Sequence, residues 1–180
     1  MSLALRASEM RERLESLPSA HTPNMATTND LVYEACRIAA LIYTTAIDMS
    51  VPFSVAATHV SSVGQRTTQV PTTHYVSTEL LLGALGRTDI ANLWKYMSGV
   101  LYWVCAVGAR TSATINIGRQ PSNLAQIREI WVRRCLIMHA TRTMIVLVLE
   151  HPAPVLIAQQ RLLRVQELIA SGNRKVFGHI

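Results

Sequence analysis

Charged residues are scarce in this chain. Asp, Glu, Lys and Arg make up only 16% of its 180 residues, while 49% are apolar, and a soluble domain ordinarily carries about 25% charged residues. A surface so poor in charge predicts that part of it is covered by a partner, by a second copy, or by a missing part of a longer chain. The length is enough for one domain with a substantial core and too short for two.

Glycine, proline and cysteine are also few, with eight, seven and three residues respectively. The low glycine and proline content disfavours an all-β fold, which needs many tight turns. The cysteines, Cys36, Cys105 and Cys135, are odd in number, widely spaced and set in apolar stretches. That pattern is typical of small buried hydrophobic residues rather than of a disulfide framework, and it favours a reducing compartment.

The chain has no apolar run long enough for a membrane helix. The longest strongly apolar, uncharged run covers residues 96–109, well short of the roughly 20 residues that span a bilayer. Charged residues interrupt residues 1–17, so the N-terminus does not resemble a signal peptide. We therefore expect an intracellular, soluble protein without a membrane partner.

The sequence lacks the motifs of the common catalytic and metal sites. Its eleven carboxylates are dispersed, and no glycine-rich phosphate loop occurs. Cys135 and His139 stand one helical turn apart and could form a thiolate–imidazole pair or half of a metal site. No second ligand pair accompanies them, so core packing or an exposed histidine is the simpler interpretation. The sequence predicts no enzyme, no cofactor and no metal.

The positive charge is spread along the chain. The net charge is +6, but no run of five basic residues occurs, and nucleic-acid binding usually comes with a motif as well as charge. Direct contact with DNA by this chain is therefore not expected. A scattered, solvated set of basic residues is the simpler interpretation.

Apolar residues recur at helical spacing along most of the chain. This periodicity predicts an all-α fold, either a helical bundle or a short α-solenoid of about six helices. We expect a single helical domain over residues 1–180, with an N-terminal helix and linker at 1–27, a helical core at 28–171 and a tail at 172–180. The predicted helices cover residues 3–17, 28–50, 53–63, 78–85, 88–108, 123–150 and 154–171, with a loop at 64–75.

Three of these helices carry more detailed predictions. In the second helix, the inner face is apolar, Leu41 indicates cover on more than one side, and the predicted outer face consists of Glu34, Arg37, Thr44 and Asp48.

In the long helix, Thr88 is predicted to cap the first turn, and residues 94–108 are expected to form the central buried helix. Gly99 and Gly108 indicate places where a neighbouring helix approaches closely. In the following helix, an apolar stripe runs down one side, and Glu129 pairs with Arg133 on the other; the stripe is Leu124, Ile127, Trp131, Cys135 and Met138.

The heavy aromatic residues leave two interpretations open. They can form part of the core, because such side chains bury a large apolar area, or they can line a cavity for a small molecule. Nearby arginines could anchor an acidic ligand or bond the last carbonyls of helices. The candidate ligand-pocket or interface residues are Arg37, Trp94, Tyr102, Trp103, Arg110 and Trp131.

Two segments resemble a known family. Residues 33–43, Tyr-Glu-Ala-Cys-Arg-Ile-Ala-Ala-Leu-Ile-Tyr, are similar to a stretch of the fungal-specific transcription factor domain, the helical regulatory region downstream of a zinc-cluster module. A leucine-rich approach at residues 80–85 precedes the second segment, which is also similar and includes Trp94, Gly99-Val-Leu, Trp103-Val and Gly108-Ala. The resemblance covers roughly residues 28–150.

The resemblance implies a nuclear, all-α regulatory domain that acts on transcription through protein partners, self-association or a small-molecule ligand. The family's DNA-binding module is a six-cysteine zinc cluster, and this chain has three cysteines, none in a Cys-x-x-Cys spacing. The chain is then either a fragment without that module or a relative that never had it. Two other functions remain open: a helical dimerisation or scaffold module without regulatory output, and a small-molecule-binding or catalytic helical protein.

Overall fold

The computed structural model is an all-α helical bundle, as the sequence predicts. It describes residues 3–20, 28–63, 77–109 and 124–177, and within these ranges it contains seven α-helices, one 3₁₀ turn and no strand. The α-helices are α1 (Leu3–Ser16), α2 (Thr28–Asp48), α3 (Phe53–Val63), α4 (Ser77–Gly86), α5 (Ser98–Ala109), α6 (Leu124–Glu150) and α7 (Pro152–Phe177).

Helix α2 lies at the centre of the bundle, packed against α1, α3, α4, α5 and α7. Three of its alanines, Ala35, Ala39 and Ala46, are fully buried, and small side chains let neighbouring helices come close. Leu41 is only 6% exposed, which confirms the prediction that α2 is covered on more than one side. The sequence predicts residues 94–108 as the central helix. In the structure α2 is at least as central, because it contacts more helices than α5 does.

The predicted outer face of α2 is wrong, because none of its four residues is exposed. Glu34 and Thr44 are 1% and 6% exposed, because α1 and the residues after it lie along this face. Arg11 of α1 bonds Asp48 at 2.9 Å, and the Tyr33 hydroxyl donates to the Pro18 carbonyl. Periodicity alone marks a polar face, but it does not show that a second helix covers that face.

The long helix predicted from Thr88 is also wrong in its first part. Turns and a 3₁₀ segment, Lys95–Met97, occupy this stretch, and α5 begins only at Ser98. The Asp89 carboxylate accepts hydrogen bonds from the backbone of the next turn, which offers the backbone an alternative to the helix. Thr88 donates to the Leu85 carbonyl and accepts a bond from the Trp94 indole, so it ends α4 instead of capping α5.

The two glycines of α5 differ in their surroundings. A Cβ on Gly108 would lie 2.6 Å from Leu81 Cδ2 and 3.0 Å from Leu136 Cδ1, whereas a Cβ on Gly99 would meet nothing within 4 Å. Leu81 and Leu136 belong to α4 and α6 and are fully buried. Close approach of neighbouring helices is confirmed at Gly108 and is wrong at Gly99.

Helix α6 packs against α5 and α4 through one side. The buried residues of that side are Val132, Leu136, Ala140, Thr143 and Leu147. The sequence-predicted stripe lies elsewhere on the helix, because Leu124, Ile127, Trp131 and Met138 are exposed. Two apolar lines therefore run along α6, and the bundle covers only one of them.

Helix α7 is longer than predicted. It passes through Gly172 and Asn173 and ends at Phe177, because a glycine inside a helix costs only about 1 kcal/mol. Val155, Leu162 and Ile169 of this helix are buried.

Several predictions fall outside the described residues. They are the linker at 21–27, the loop at 64–75, Arg110 and the last residues of the tail.

No single helix of the described residues is long and apolar enough to cross a membrane. Asp30–Asp48 and Phe53–Val60 satisfy the length and composition criteria only as a pair, across a bend of 118°.

Candidate functional site

The side of α6 that faces away from the bundle exposes a line of large apolar side chains. Their exposed fractions run from 49% at Ile127 to 80% at Leu124 and Leu149. Large contiguous apolar surfaces on soluble proteins mark interaction sites. We call this line the α6 stripe, and it consists of Leu124, Ile127, Trp131, Met138, Ile145 and Leu149.

The α6 stripe has the spacing of a helix–helix seam. Leu124, Trp131, Met138 and Ile145 follow one another at intervals of seven residues, the repeat with which one helix packs along another in a coiled coil. At 1.5 Å per residue the stripe is about 38 Å long. Its shape fits an extended partner better than a compact pocket ligand.

The charged residues beside the α6 stripe are positive. Arg134 and Arg142 are exposed on this side of the helix, and neither makes an ion pair with a residue that the structure describes. At the edge of the stripe, Arg128 differs, because its Nε lies 2.9 Å from a carboxylate oxygen of Glu79 on α4. Two guanidinium groups therefore remain for a partner.

A second candidate site is an open groove between α2, α5 and α7. It has a volume of about 460 Å³ and is mainly apolar. The Tyr43 and Trp103 rings meet edge to face in it, with centroids 5.7 Å apart, and burial raises the pKa of the Tyr43 phenol. The groove is lined by Tyr43, Trp103, Pro154, Ile157, Ala158, Arg161 and Leu162.

The sequence-predicted site residues do not form a single site in the structure. Trp103 lines the groove, and Trp131, 60% exposed, lies in the α6 stripe. The Tyr102 hydroxyl accepts a hydrogen bond from the Gln159 amide, which connects α5 to α7. Trp94 is 1% exposed and donates from its indole to Thr88. The core interpretation is therefore right for Trp94 and wrong for Trp131.

Arg37 has a structural partner. Its Nε and Nη2 donate to the Glu34 carboxylate at 2.9 and 2.7 Å, and the same carboxylate accepts the Ser19 hydroxyl and the Ala20 N–H. Burial by itself raises the pKa of Glu34, but these donors, Arg37 foremost, hold that pKa below its ordinary value. Arg37 thus holds the Glu34 carboxylate, which fixes the segment after α1 onto α2.

Clusters of metal ligands and reactive thiols are two features that mark many catalytic sites. The described residues contain no group of three or more His, Cys, Asp or Glu side chains placed to hold a metal. Burial raises the pKa of the Cys105 thiol to about 12 and also raises that of Cys36, so both thiols stay protonated and unreactive.

Sequence reasoning missed two parts of the candidate sites. Ile145 and Leu149 extend the α6 stripe by about three turns, and the seven-residue repeat from Leu124 was a signal that could have found Ile145. Nothing in the sequence indicated that α7 forms a groove with α2, because the two helices lie more than 100 residues apart and their contact is a property of the folded chain.

No protein-family model, curated protein or solved structure matches this chain. The resemblance to the fungal-specific transcription factor domain therefore stays a prediction. Function has to be argued from the two candidate sites.

Proposed function

We propose that this chain is a helical regulatory domain that binds a protein partner through the α6 stripe, and that it acts on transcription in the nucleus as the family resemblance implies. The observation that supports the proposal is the exposure of six large apolar side chains along one side of α6. Neither catalysis nor direct DNA contact by the described residues is part of the proposal.

The energetics favour a partner that covers the whole stripe. Burying a large apolar side chain completely contributes about 1.5–3 kcal/mol, and these side chains are already partly covered, so each gives about 1–2 kcal/mol. Association costs roughly 4–15 kcal/mol in lost freedom of motion. One or two side chains contribute less than that cost, whereas six together contribute about 6–12 kcal/mol, which is of the same size.

The groove supports a second candidate function, the binding of a small molecule. Its volume of about 460 Å³ and its apolar, aromatic lining are typical of ligand sites. Arg161 places a cationic group beside this lining. An apolar molecule with a carboxylate fits the groove, and such a ligand would make the domain a sensor as well as a docking module.

A reporter assay with two matched substitutions tests the proposed function. The full chain is fused to an unrelated DNA-binding module, and reporter output is compared for the wild type, Met138→Glu and Met10→Glu. Met138 and Met10 are 62% and 58% exposed, but only Met138 lies in the α6 stripe. We expect the wild-type fusion to change reporter output, Met138→Glu to remove most of that change, and Met10→Glu to keep it.

Two results would contradict the proposal. One is a wild-type fusion that leaves reporter output unchanged in every condition, since the chain then has no regulatory effect. The other is an equal loss of output with both substitutions at equal protein level, since the α6 stripe then has no special role. Circular dichroism on both variants checks that each remains helical.

A further inference from the structure

Two arginines are built into the line of the α6 stripe. Arg134 comes three residues after Trp131 and four before Met138, and Arg142 comes four after Met138 and three before Ile145. Residues three and four apart are neighbours on a helix surface. Each guanidinium group therefore lies between apolar side chains of the stripe, and a partner that buries those side chains also covers the two charges.

A second copy of the chain is a poor occupant for this surface. If two copies pack antiparallel with Met138 on Met138, Arg134 of each copy faces Arg142 of the other. If they pack parallel, each arginine faces itself. Both arrangements bring like charges together where the interface is being desolvated, which is unfavourable, and the net charge of +6 adds to the repulsion.

A lipid surface also fits poorly. Helices that lie on membranes keep their basic residues on the polar side or at its edge, with the apolar side free to enter the acyl region. Here Arg134 lies between Trp131 and Met138, so burying the apolar residues in lipid would carry a guanidinium group with them. A protein helix can bring a carboxylate to the same place.

We propose that the occupant of the α6 stripe is an acidic amphipathic helix, with apolar residues at seven-residue spacing and Asp or Glu beside them. This inference rests on the proposed function and names its partner class. Carboxylates of the partner pair with Arg134 and Arg142, and an Arg–carboxylate pair makes two parallel hydrogen bonds. Covering the stripe of about 38 Å takes a helix of about 25 residues.

The test uses the full chain and three synthetic helical peptides of about 28 residues, a length that covers the stripe. The first has Leu and Ile at the seam and Glu beside them, the second has Lys in place of Glu, and the third keeps Glu but has Ser at the seam. Binding is measured by fluorescence anisotropy of labelled peptide. We expect the first peptide to bind at least tenfold more tightly than the second, and the third not to bind.

Charge reversal on the protein tests whether peptide preference depends on the positions of Arg134 and Arg142 or only on the net charge. The double variant Arg134→Glu/Arg142→Glu is expected to prefer the Lys peptide over the Glu peptide. The matched control is Arg6→Glu/Arg13→Glu on α1, where both residues are exposed and the change in net charge is the same. The control is expected to keep the wild-type preference for the acidic peptide.

Each alternative has its own outcome. Equal binding of the Glu and Lys peptides, abolished by Met138→Glu, overturns the acidic partner class and leaves the docking surface standing. Binding to phosphatidylserine vesicles without binding to the Glu peptide overturns the inference in favour of a membrane. A stable dimer that Met138→Glu dissociates, again without Glu-peptide binding, overturns it in favour of a second copy.

Discussion

At the scale of single residues, one carboxylate holds the N-terminal segment to the bundle. Glu34 is buried and accepts hydrogen bonds from Arg37, Ser19 and Ala20. A buried charge is tolerated only when it is paired and fully hydrogen-bonded, and these four donor bonds meet that condition. The position of the segment after α1 therefore depends on the ionised form of Glu34.

We expect Glu34→Gln to lower the free energy of unfolding by about 1–3 kcal/mol near neutral pH, because buried donors lose a charged acceptor. The folded pKa of Glu34 lies below its ordinary value of 4.5. The stabilisation by its ionised form is therefore present above about pH 4.5 and is lost as pH falls through the lower folded pKa. Urea unfolding at about pH 7 and about pH 3 measures the difference, which should shrink in acid.

The exposed Glu12 on α1 provides the control for this experiment. Glu12→Gln is expected to change the free energy of unfolding by less than about 0.5 kcal/mol at either pH, as is usual for surface substitutions. If Glu34→Gln costs the same stability in acid as at neutral pH, the charge of Glu34 has no part in holding the segment.

At the scale of helices, α4, α5 and α6 meet at Gly108, where α5 has no side chain. Leu81 and Leu136 reach toward the backbone at Gly108, so the glycine sets the distance between three helices. Gly99, near the start of the same helix, has open space around it. The two positions share a residue type and an element, and they differ only in their neighbours.

Alanine substitutions at these positions should have opposite effects. Gly108→Ala is expected to lower the free energy of unfolding by about 1–3 kcal/mol, the usual cost of overpacking a core. Gly99→Ala is expected to raise it by about 0.5 kcal/mol, because alanine restricts the unfolded chain and favours a helix. Chemical denaturation measures both. A Gly108→Ala protein at least as stable as the wild type would show that the leucines move aside without cost.

The helices show how far the sequence predicts this fold. The prediction of a short helix at residues 53–63 is confirmed by α3; it rested on the absence of strand-like alternation there and not on a clear apolar face. Periodicity failed at residues 88–97. There the Asp89 carboxylate accepts hydrogen bonds from Ala91 and Asn92, and Thr88 bonds the Leu85 carbonyl and the Trp94 indole. It also failed to show which apolar line of α6 is buried, because that choice depends on α4 and α5 and not on α6 alone.

At the scale of the whole molecule, the bundle leaves its second apolar line on α6 uncovered and places positive charge along it. The low content of charged residues predicted a covered surface, and the α6 stripe is where the described structure has such a surface to cover. The sequence identified Trp131 as an interface candidate. The rest of the stripe required knowing which side of α6 faces outward.

Self-association should increase when the charge of one of the two arginines is reversed, but not when both are reversed. In an antiparallel pair of α6 helices centred on Met138, Arg134→Glu alone converts two repulsive contacts with Arg142 into two attractive ones. We expect this variant to dimerise about tenfold more tightly than the wild type, given the usual size of exposed ion pairs. Sedimentation velocity over a concentration series measures the change.

The double variant Arg134→Glu/Arg142→Glu is the control, because it restores like charges at both contacts. It is expected to associate no more tightly than the wild type. Equal dimerisation of the single and double variants would mean that the antiparallel register is incorrect.

Helices α6 and α7 are joined through His151 alone. A connection this short restricts the movement of one helix relative to the other. A tilt of α7 would therefore displace the last turn of α6, which contains Leu149. A molecule bound between Tyr43, Trp103 and Leu162 would move the first half of α7 away from α2 and α5 or closer to them. We therefore expect a ligand bound in the groove to shift the last turn of α6 and to change partner binding at the Leu149 end of the α6 stripe.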